Sequence, residues 1–438
     1  MRTKSLHAKK INIITLGCSK NLVDSEVLLS QLKANDFDVV HESKKDNAEV
    51  IVINTCGFID KAKQESIDTI LKYADAKEKG EIEKLYVTGC LSHRYKEELI
   101  AEFPNVDGFF GTLELPNILH TLGADYKHDL IGERLVTTPP HYAYLKISEG
   151  CNRPCSFCAI PLMRGKHVSK SIEAIVKEAN HLARLGTKEI MLIAQDSTSY
   201  GVDNYNKRAL ADLLKALGNV PEIEWFRLHY AFPSQFPEDA LKVMADTDNI
   251  CKYLDIPLQH SSDNMLKIMR RGITKSRTEK LIQTIKNTIP GISLRTTMLV
   301  GHPGETEEDF LELCDFIKTH QFDRLGVFTY SHEENTHAYS LDDNIEQEEK
   351  DRRAAHLMAI QEEISLQLNE NKIGTIQKVL FDRKEGEYFV GRTAADSPEV
   401  DNEVLVETEN NFVRIGDFAQ IEINDCTAFD LFGNVKKG

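Results

Sequence analysis

From residue 142 to residue 330 the chain alternates short apolar runs with stretches of helical spacing, and this alternation restricts the fold more than any other feature. The runs fall at 142–148, 189–193, 224–230, 252–258, 292–300 and 324–330. Strands joined through helices make right-handed crossovers and are therefore parallel. Six of them predict an open or partial barrel whose ligands gather at the carboxyl ends of the strands.

The same wiring begins earlier, with strands expected at 11–16, 50–53 and 85–88 and helices near 22–35 and 61–79, which predicts a separate parallel α/β unit. Pro139 and Pro140, within a connection at 125–141, resist both helix and central strand. Residues 344–371 have the spacing of a solvated amphipathic helix. After Ile373, β-type runs at 379–382, 388–392, 404–406, 412–415 and 418–423 predict a small β-barrel or sandwich. The expected domains are 1–124, 137–372 and 373–438, a number that suits a chain of 438 residues.

The basic start, Met1 to Lys10, is followed by an apolar run too short for a secretion signal, and that run contains Asn12 and Thr15. No apolar run approaches the ~18–20 residues that span a bilayer. A cytoplasmic protein with no membrane partner is expected, whose nine cysteines are thiols or metal ligands rather than a disulfide framework. The net charge of −16 argues against broad attraction to nucleic acid.

Cys151, Cys155 and Cys158 sit on one loop directly after a predicted strand, in Glu149-Gly150-Cys151-Asn152-Arg153-Pro154-Cys155-Ser156-Phe157-Cys158. Three thiolates can hold three corners of a cubic 4Fe-4S cluster and leave the fourth iron open. A zinc site short of one ligand, or three incidental buried cysteines, are the alternatives. Cys18, Cys56 and Cys90 each follow a different predicted strand, beside Gly17, Gly57 and Gly89. Parallel strands would bring them to one sheet edge, where α/β sheets bind ligands, so a second three-ligand cluster is expected there, with core packing as the alternative. The glycines would let backbone approach a bulky ligand.

Cys251, Cys314 and Cys426 are isolated, and Cys314 shares a helical face with Phe310, Leu313 and Ile317. Gln195, after the run at 189–193, and Arg295, within the run at 292–300, are candidates to face cofactor or substrate in the barrel mouth. Residues 301–305 read as a turn and 306–309 as a helix cap, which makes His302 structural.

The C-x3-C-x2-C loop after the first of six βα strands, with Phe157 beside the last cysteine, resembles the radical-SAM superfamily signature. The whole chain resembles the methylthiotransferases, which join a three-cysteine amino-terminal α/β domain, a partial (β/α)6 radical-SAM barrel and a small carboxyl-terminal TRAM β-barrel. Gly17-Cys18-Ser19-Lys20-Asn21-Leu22-Val23-Asp24-Ser25-Glu26, Asn54-Thr55-Cys56-Gly57-Phe58-Ile59-Asp60, Pro257-Leu258-Gln259-His260 and Asp396-Ser397-Pro398-Glu399-Val400-Asp401 are similar to the branch that modifies an aspartate of a small-subunit ribosomal protein, S-twelve. Ser19 stands where proline is common in that family.

This resemblance implies two 4Fe-4S clusters, one on Cys151, Cys155 and Cys158 and an auxiliary one on Cys18, Cys56 and Cys90. It implies S-adenosyl-L-methionine as radical source and methyl donor, hydrogen abstraction at the aspartate β-carbon, and delivery of a methylthio group. The implied partners are the ribosomal protein or the assembled small subunit, an electron donor and a sulfur donor. An adenosine of tRNA is the alternative substrate, and a non-catalytic cluster-bearing RNA-binding protein is a further alternative. From 376 to 438 seven Lys and Arg face thirteen Asp and Glu, so an acidic β-domain is expected to attract a basic protein rather than RNA.

Overall fold

The computed structural model describes residues 9–44, 48–130, 132–409 and 411–436. Most of the basic start discussed above, residues 1–8, lies outside them.

The first unit is a parallel five-stranded sheet of β1 (Lys10–Thr15), β2 (Asp38–His41), β3 (Val50–Thr55), β4 (Lys84–Gly89) and β5 (Gly108–Phe109), in the order β2-β1-β3-β4-β5. β3 is buried along its whole length because both faces are covered. Val50 and Val52 pack with Leu28, Leu29 and Leu32 of helix α1 (Ser19–Ala34), while Ile51 and Ile53 pack with Ile70 of α2 (Asp60–Glu78) on the other face. The two edge strands, β2 and β5, carry no signal that the sequence reading could use. One is four residues long and half-exposed, with only Val39 and Val40 apolar, and the other is two residues long.

The second unit is a parallel sheet of β6 (Tyr142–Lys146), β7 (Glu189–Ile193), β8 (Trp225–Leu228), β9 (Ile250–Asp255), β10 (Ser293–Val300) and β11 (Arg324–Thr329), ordered consecutively from β6 to β11. β6 and β11 do not pair with each other, so the barrel is open, as expected. Leu145, Ile190, Leu192, Phe226 and Leu228 face the surrounding helices in the largest core. The opposite face begins with Tyr144, Met191 and Ile193, against which Val23 of α1 packs, so the first unit lies across this side of the barrel. Thr306 caps the helix Glu307–His320 reciprocally with Asp309, as its sequence predicts.

Helix α3 (Gln347–Glu370) is not solvated all round. Leu357, Ile360 and Ile364 join the barrel core, and Ser365 and Asn369 hydrogen-bond the Ala428 carbonyl of the third unit. That unit is a closed barrel of β12 (Ile376–Glu385), β13 (Tyr388–Thr393), β14 (Glu403–Glu407), β15 (Phe418–Cys426) and β16 (Asp430–Val435). The expected strand at 412–415 is a loop. Its place belongs to β16, whose Gly433 and Asn434 obscure the strand pattern; Gly433 is needed because a Cβ there would lie 2.6 Å from the Glu422 carbonyl oxygen.

The segment 396–401 leaves this small barrel and enters the open one. Asp396 accepts from Arg324 Nε at 2.9 Å, Ser397 Oγ lies 3.0 Å from His229 Nε2, and Glu399 accepts from Tyr144 Oη at 3.3 Å. Asp401 accepts from Tyr253 Oη at 2.8 Å and from Arg295 Nε at 3.1 Å. Arg295 also bonds Asp255 at 3.2 Å. It stands third in β10, toward the amino end, and its guanidinium ties the third unit to the barrel, which departs from the cofactor-facing position expected of it. Part of the acidity of the third unit acts internally: Asp382, Asp396, Asp401 and Asp417 bond His141, Arg324, Arg295 and Lys188 of the barrel unit. Among the described residues no helix is long and apolar enough to cross a membrane.

Candidate functional site

The C-x3-C-x2-C loop closes on itself through backbone. Cys151 N–H donates to Gly165 O at 3.1 Å and Cys158 N–H to Cys155 O at 3.2 Å. Gly150 holds φ +70°, and a Cβ there would overlap the Lys166 carbonyl, so only glycine admits the chain at the loop entrance. Cys151 Sγ accepts from Arg153 N–H at 3.4 Å, and Cys155 Sγ accepts from Arg271 Nη1 at 3.2 Å. Both guanidinium groups stack on Phe232, each 4.1 Å from its ring centroid, and Arg153 is fixed by Asp196 at 2.7 Å. Ser156 Oγ meets His302 Nε2 at 3.1 Å, while His302 Nδ1 pairs with the Pro303 carbonyl at 2.9 Å, which gives this histidine a structural place.

The other three cysteines meet at the carboxyl edge of the first sheet. Cys18 precedes α1 and is exposed, Cys56 follows β3, and Cys90 opens the short helix Cys90–Arg94; the latter two are buried. The adjoining glycines serve these loops rather than open room for a ligand. A Cβ on Gly17 would lie 2.6 Å from Cys56 Cβ, and one on Gly57 would lie 2.8 Å from Leu91 Cα. Asn21 laces the loops together, donating to Leu16 O at 2.7 Å and Thr55 O at 3.0 Å, and its Oδ1 lies 3.7 Å from Cys90 Sγ.

The two triads are neighbours. Cys90 forms one buried cluster with Ala159 and Met163, and Ala159 directly follows Cys158. Arg164, 1% exposed, reaches between the domains to Asp24 at 3.1 Å, Glu149 at 3.0 Å and Asn21 Oδ1.

Burial pushes the Cys90 and Cys158 thiols up to about 12 and the Cys151 thiol to about 11, and it raises Cys56 as well. These are neutral thiols at neutral pH unless a metal takes the proton's place. The donor set fits iron-sulfur clusters on two counts: it is all sulfur, and each triad offers three ligands. Among the described residues no three His, Cys, Asp or Glu converge tightly enough to hold a single metal ion.

Gln195 is half-buried just past the end of β7, beside Asp196. Arg295 is not part of this assembly. Lys20, Asn21, Arg164 and Arg271 were missed as individual residues. The first two lie inside a family-like segment, but nothing in the sequence separates Arg164 or Arg271 from surface arginines.

Residues 10–111 match a family described as uncharacterized protein family UPF0004, residues 145–317 match the radical SAM superfamily, and residues 373–435 match the TRAM domain. A Cytophaga hutchinsonii protein named ribosomal protein uS12 methylthiotransferase RimO is 64% identical over 437 residues, covering 100% of both chains. Proteins of the same name from Flavobacterium johnsoniae and Bacteroides fragilis are 58% and 54% identical, over 99% and 98% of this chain and 99% of each relative. Among solved structures, the radical S-adenosylmethionine methyltransferase TsrM from Kitasatospora setae superposes with a TM-score of 0.55 at 14% identity, covering 73% of this chain and 72% of that one. That likeness is one of fold.

Proposed function

The chain belongs to the RimO family of ribosomal protein uS12 methylthiotransferases, and from this premise we propose that it adds a methylthio group to the β-carbon of an aspartate of uS12. Membership of the radical-SAM superfamily brings S-adenosylmethionine and a 4Fe-4S cluster. Cys151, Cys155 and Cys158 would hold that cluster, and Cys18, Cys56 and Cys90 a second one. Once bound, these groups would supply one-electron reduction of S-adenosylmethionine at the first triad and a sulfur atom at the second. The observation that supports the reading is the packing of Cys90 against Ala159 and Met163, which makes the two cysteine triads neighbours.

The protein's residues position and shield these groups. Arg153 and Arg271, clamped on Phe232, hold the core loop and donate hydrogen bonds to the sulfurs of Cys151 and Cys155. The raised thiols must release protons as iron binds, so cluster loading is favoured by rising pH. Gln195, just past the end of β7, would reach S-adenosylmethionine. The segment 396–401 forms a floor across the barrel interior. Four carboxylates of the acidic third unit bond barrel side chains, and the remaining ones would attract a basic substrate. An electron donor and a sulfur donor complete the system.

The deciding experiment offers the reconstituted, reduced enzyme uS12, or small subunits that contain it, together with bulk tRNA, and follows mass. A methylthio increment on a uS12 aspartate supports the proposal; modified tRNA with unchanged uS12 would transfer it to the adenosine substrate. Release of 5′-deoxyadenosine from S-adenosylmethionine separates either outcome from a non-catalytic binding protein.

A further inference from the structure

Lys20, the second residue of α1, is only 4% exposed, and its ammonium lies 3.1 Å from the centroid of the Tyr230 ring. Among the described residues it has no carboxylate, carbonyl or hydroxyl partner. The other cations around the triads are committed: Arg164 and Lys146 share Asp24 and Glu149, Arg153 bonds Asp196, and Arg271 bonds the Pro257 carbonyl. An ammonium on a largely buried side chain, supported by an aromatic face, is only partly compensated for its lost hydration, and an anion is the partner that would complete the balance.

Its position is also specific. Lys20 is two residues beyond Cys18, whereas Tyr230 is tied to the core loop. The Tyr230 carbonyl accepts from Ser197 N–H at 3.1 Å and from Ser197 Oγ at 3.0 Å, and the adjacent Asp196 fixes Arg153 between Cys151 and Cys155. Tyr230 adopts φ +59°, a strained conformation for an aromatic residue, and its N–H donates to Asp255 at 3.2 Å. The backbone is thus held in an unfavourable state that sets this ring against Lys20. The positive end of α1 adds to the field, because Cys18 makes no side-chain cap bond there.

We infer that Lys20 receives the side-chain carboxylate of the target aspartate and is the residue that distinguishes aspartate from its uncharged analogues. The inference rests on the function proposed above and deepens it. The β-carbon of an aspartate is one bond from its carboxyl carbon. A cation carried two residues beyond Cys18 and set on the Tyr230 ring of the barrel unit can therefore anchor the carboxylate and leave that carbon near both triads. A site built around a buried charge rejects a neutral isostere strongly, because the charge is then left unpaired.

The test uses holoenzyme with both clusters loaded, the variants Lys20→Met and Lys20→Arg, and two ligands: uS12 and uS12 with its target aspartate replaced by asparagine. Three quantities are read: iron and sulfide content with the electron paramagnetic resonance of both clusters, S-adenosylmethionine cleavage without substrate, and equilibrium binding of each ligand. Lys20→Met should keep the first two and bind both ligands equally, losing about ten-fold or more in affinity for the aspartate form, and Lys20→Arg should restore part of the preference. Loss of iron or an altered auxiliary signal in Lys20→Met would overturn the inference and give Lys20 to the cluster. An intact preference for aspartate would overturn it outright. A parent enzyme that neither binds nor modifies uS12 would overturn the function proposed above, and this role with it.

Discussion

Arg164, the last residue of the short helix Ile160–Arg164 that follows the C-x3-C-x2-C loop, donates to Asp24 of the first domain at 3.1 Å, so one buried guanidinium joins the two cysteine-bearing domains. Glu149 accepts from the same guanidinium at 3.0 Å, and Lys146 bonds both carboxylates. The relative placement of the triads therefore depends on a compact network of two cations and two anions.

Replacing Arg164 with methionine should cost about 3–5 kcal/mol, the range for breaking a buried ion pair and leaving its partners uncompensated. Arg164→Lys should recover only part of this, because an ammonium cannot span Asp24, Glu149 and Asn21 in the plane of a guanidinium. Denaturant unfolding measures both. Substrate-free cleavage of S-adenosylmethionine should survive in Arg164→Lys better than methylthiolation does, since only the latter needs the triads in register.

Removing ligands separates the two clusters. Changing Cys151, Cys155 and Cys158 together to alanine should halve the iron content and abolish S-adenosylmethionine cleavage. Changing Cys18, Cys56 and Cys90 should also halve it, abolish sulfur transfer and leave cleavage measurable. If either triple variant kept the iron of the parent, the ligand assignment would be wrong.

Docking of the third domain should fail in acid. Burial would raise Asp382, but hydrogen bonds from His141 and Arg392 outweigh it and hold the carboxyl below its ordinary value. Burial likewise opposes Asp396, and Arg324, Lys372 and Thr393 hold it low. A carboxyl lowered by folding stabilises the fold above its unfolded value, roughly pH 3.9, and that contribution disappears as pH falls through the folded value. The single tryptophan, Trp225, packs 4.7 Å from Phe418 of the third domain and reports the event by fluorescence. The transition midpoint in denaturant should hold between pH 7 and 5 and drop below about pH 4, and Asp382→Asn with Asp396→Asn should flatten the drop while lowering the plateau.

The sequence carries the order of strands and the two triads because apolar runs and cysteine spacing are local signals. It does not carry the partners of long polar side chains. Arg295 lies in a correctly read strand, yet its bond to Asp401 spans 106 positions, and no periodicity reveals such a pair. The segment 396–401 is visible as a motif, but its insertion into the barrel depends on where two domains dock. Strand β16 was lost for a different reason. Its inward Gly433 makes room for a neighbouring strand, and a glycine removes the alternation by which strands are recognised.

Glycine also supplies the sharpest test of the auxiliary site. Gly80 and Gly89 both have positive φ, +75° and +100°, but a Cβ on Gly80 meets nothing within 4 Å, whereas one on Gly89 would overlap the Thr55 carbonyl and lie 2.6 Å from Thr55 N. Gly80→Ala should therefore cost only the conformational penalty of a left-handed residue, about 1–2 kcal/mol, with unchanged iron content. Gly89→Ala carries that penalty and must also separate β4 from the chain beside it, displacing Cys90 from Cys56. Its stability loss should exceed that of Gly80→Ala, and iron analysis should show the auxiliary share reduced while S-adenosylmethionine cleavage at the core triad continues. Equal losses of stability and iron in the two variants would mean that the close approach at Gly89 does not set the position of Cys90.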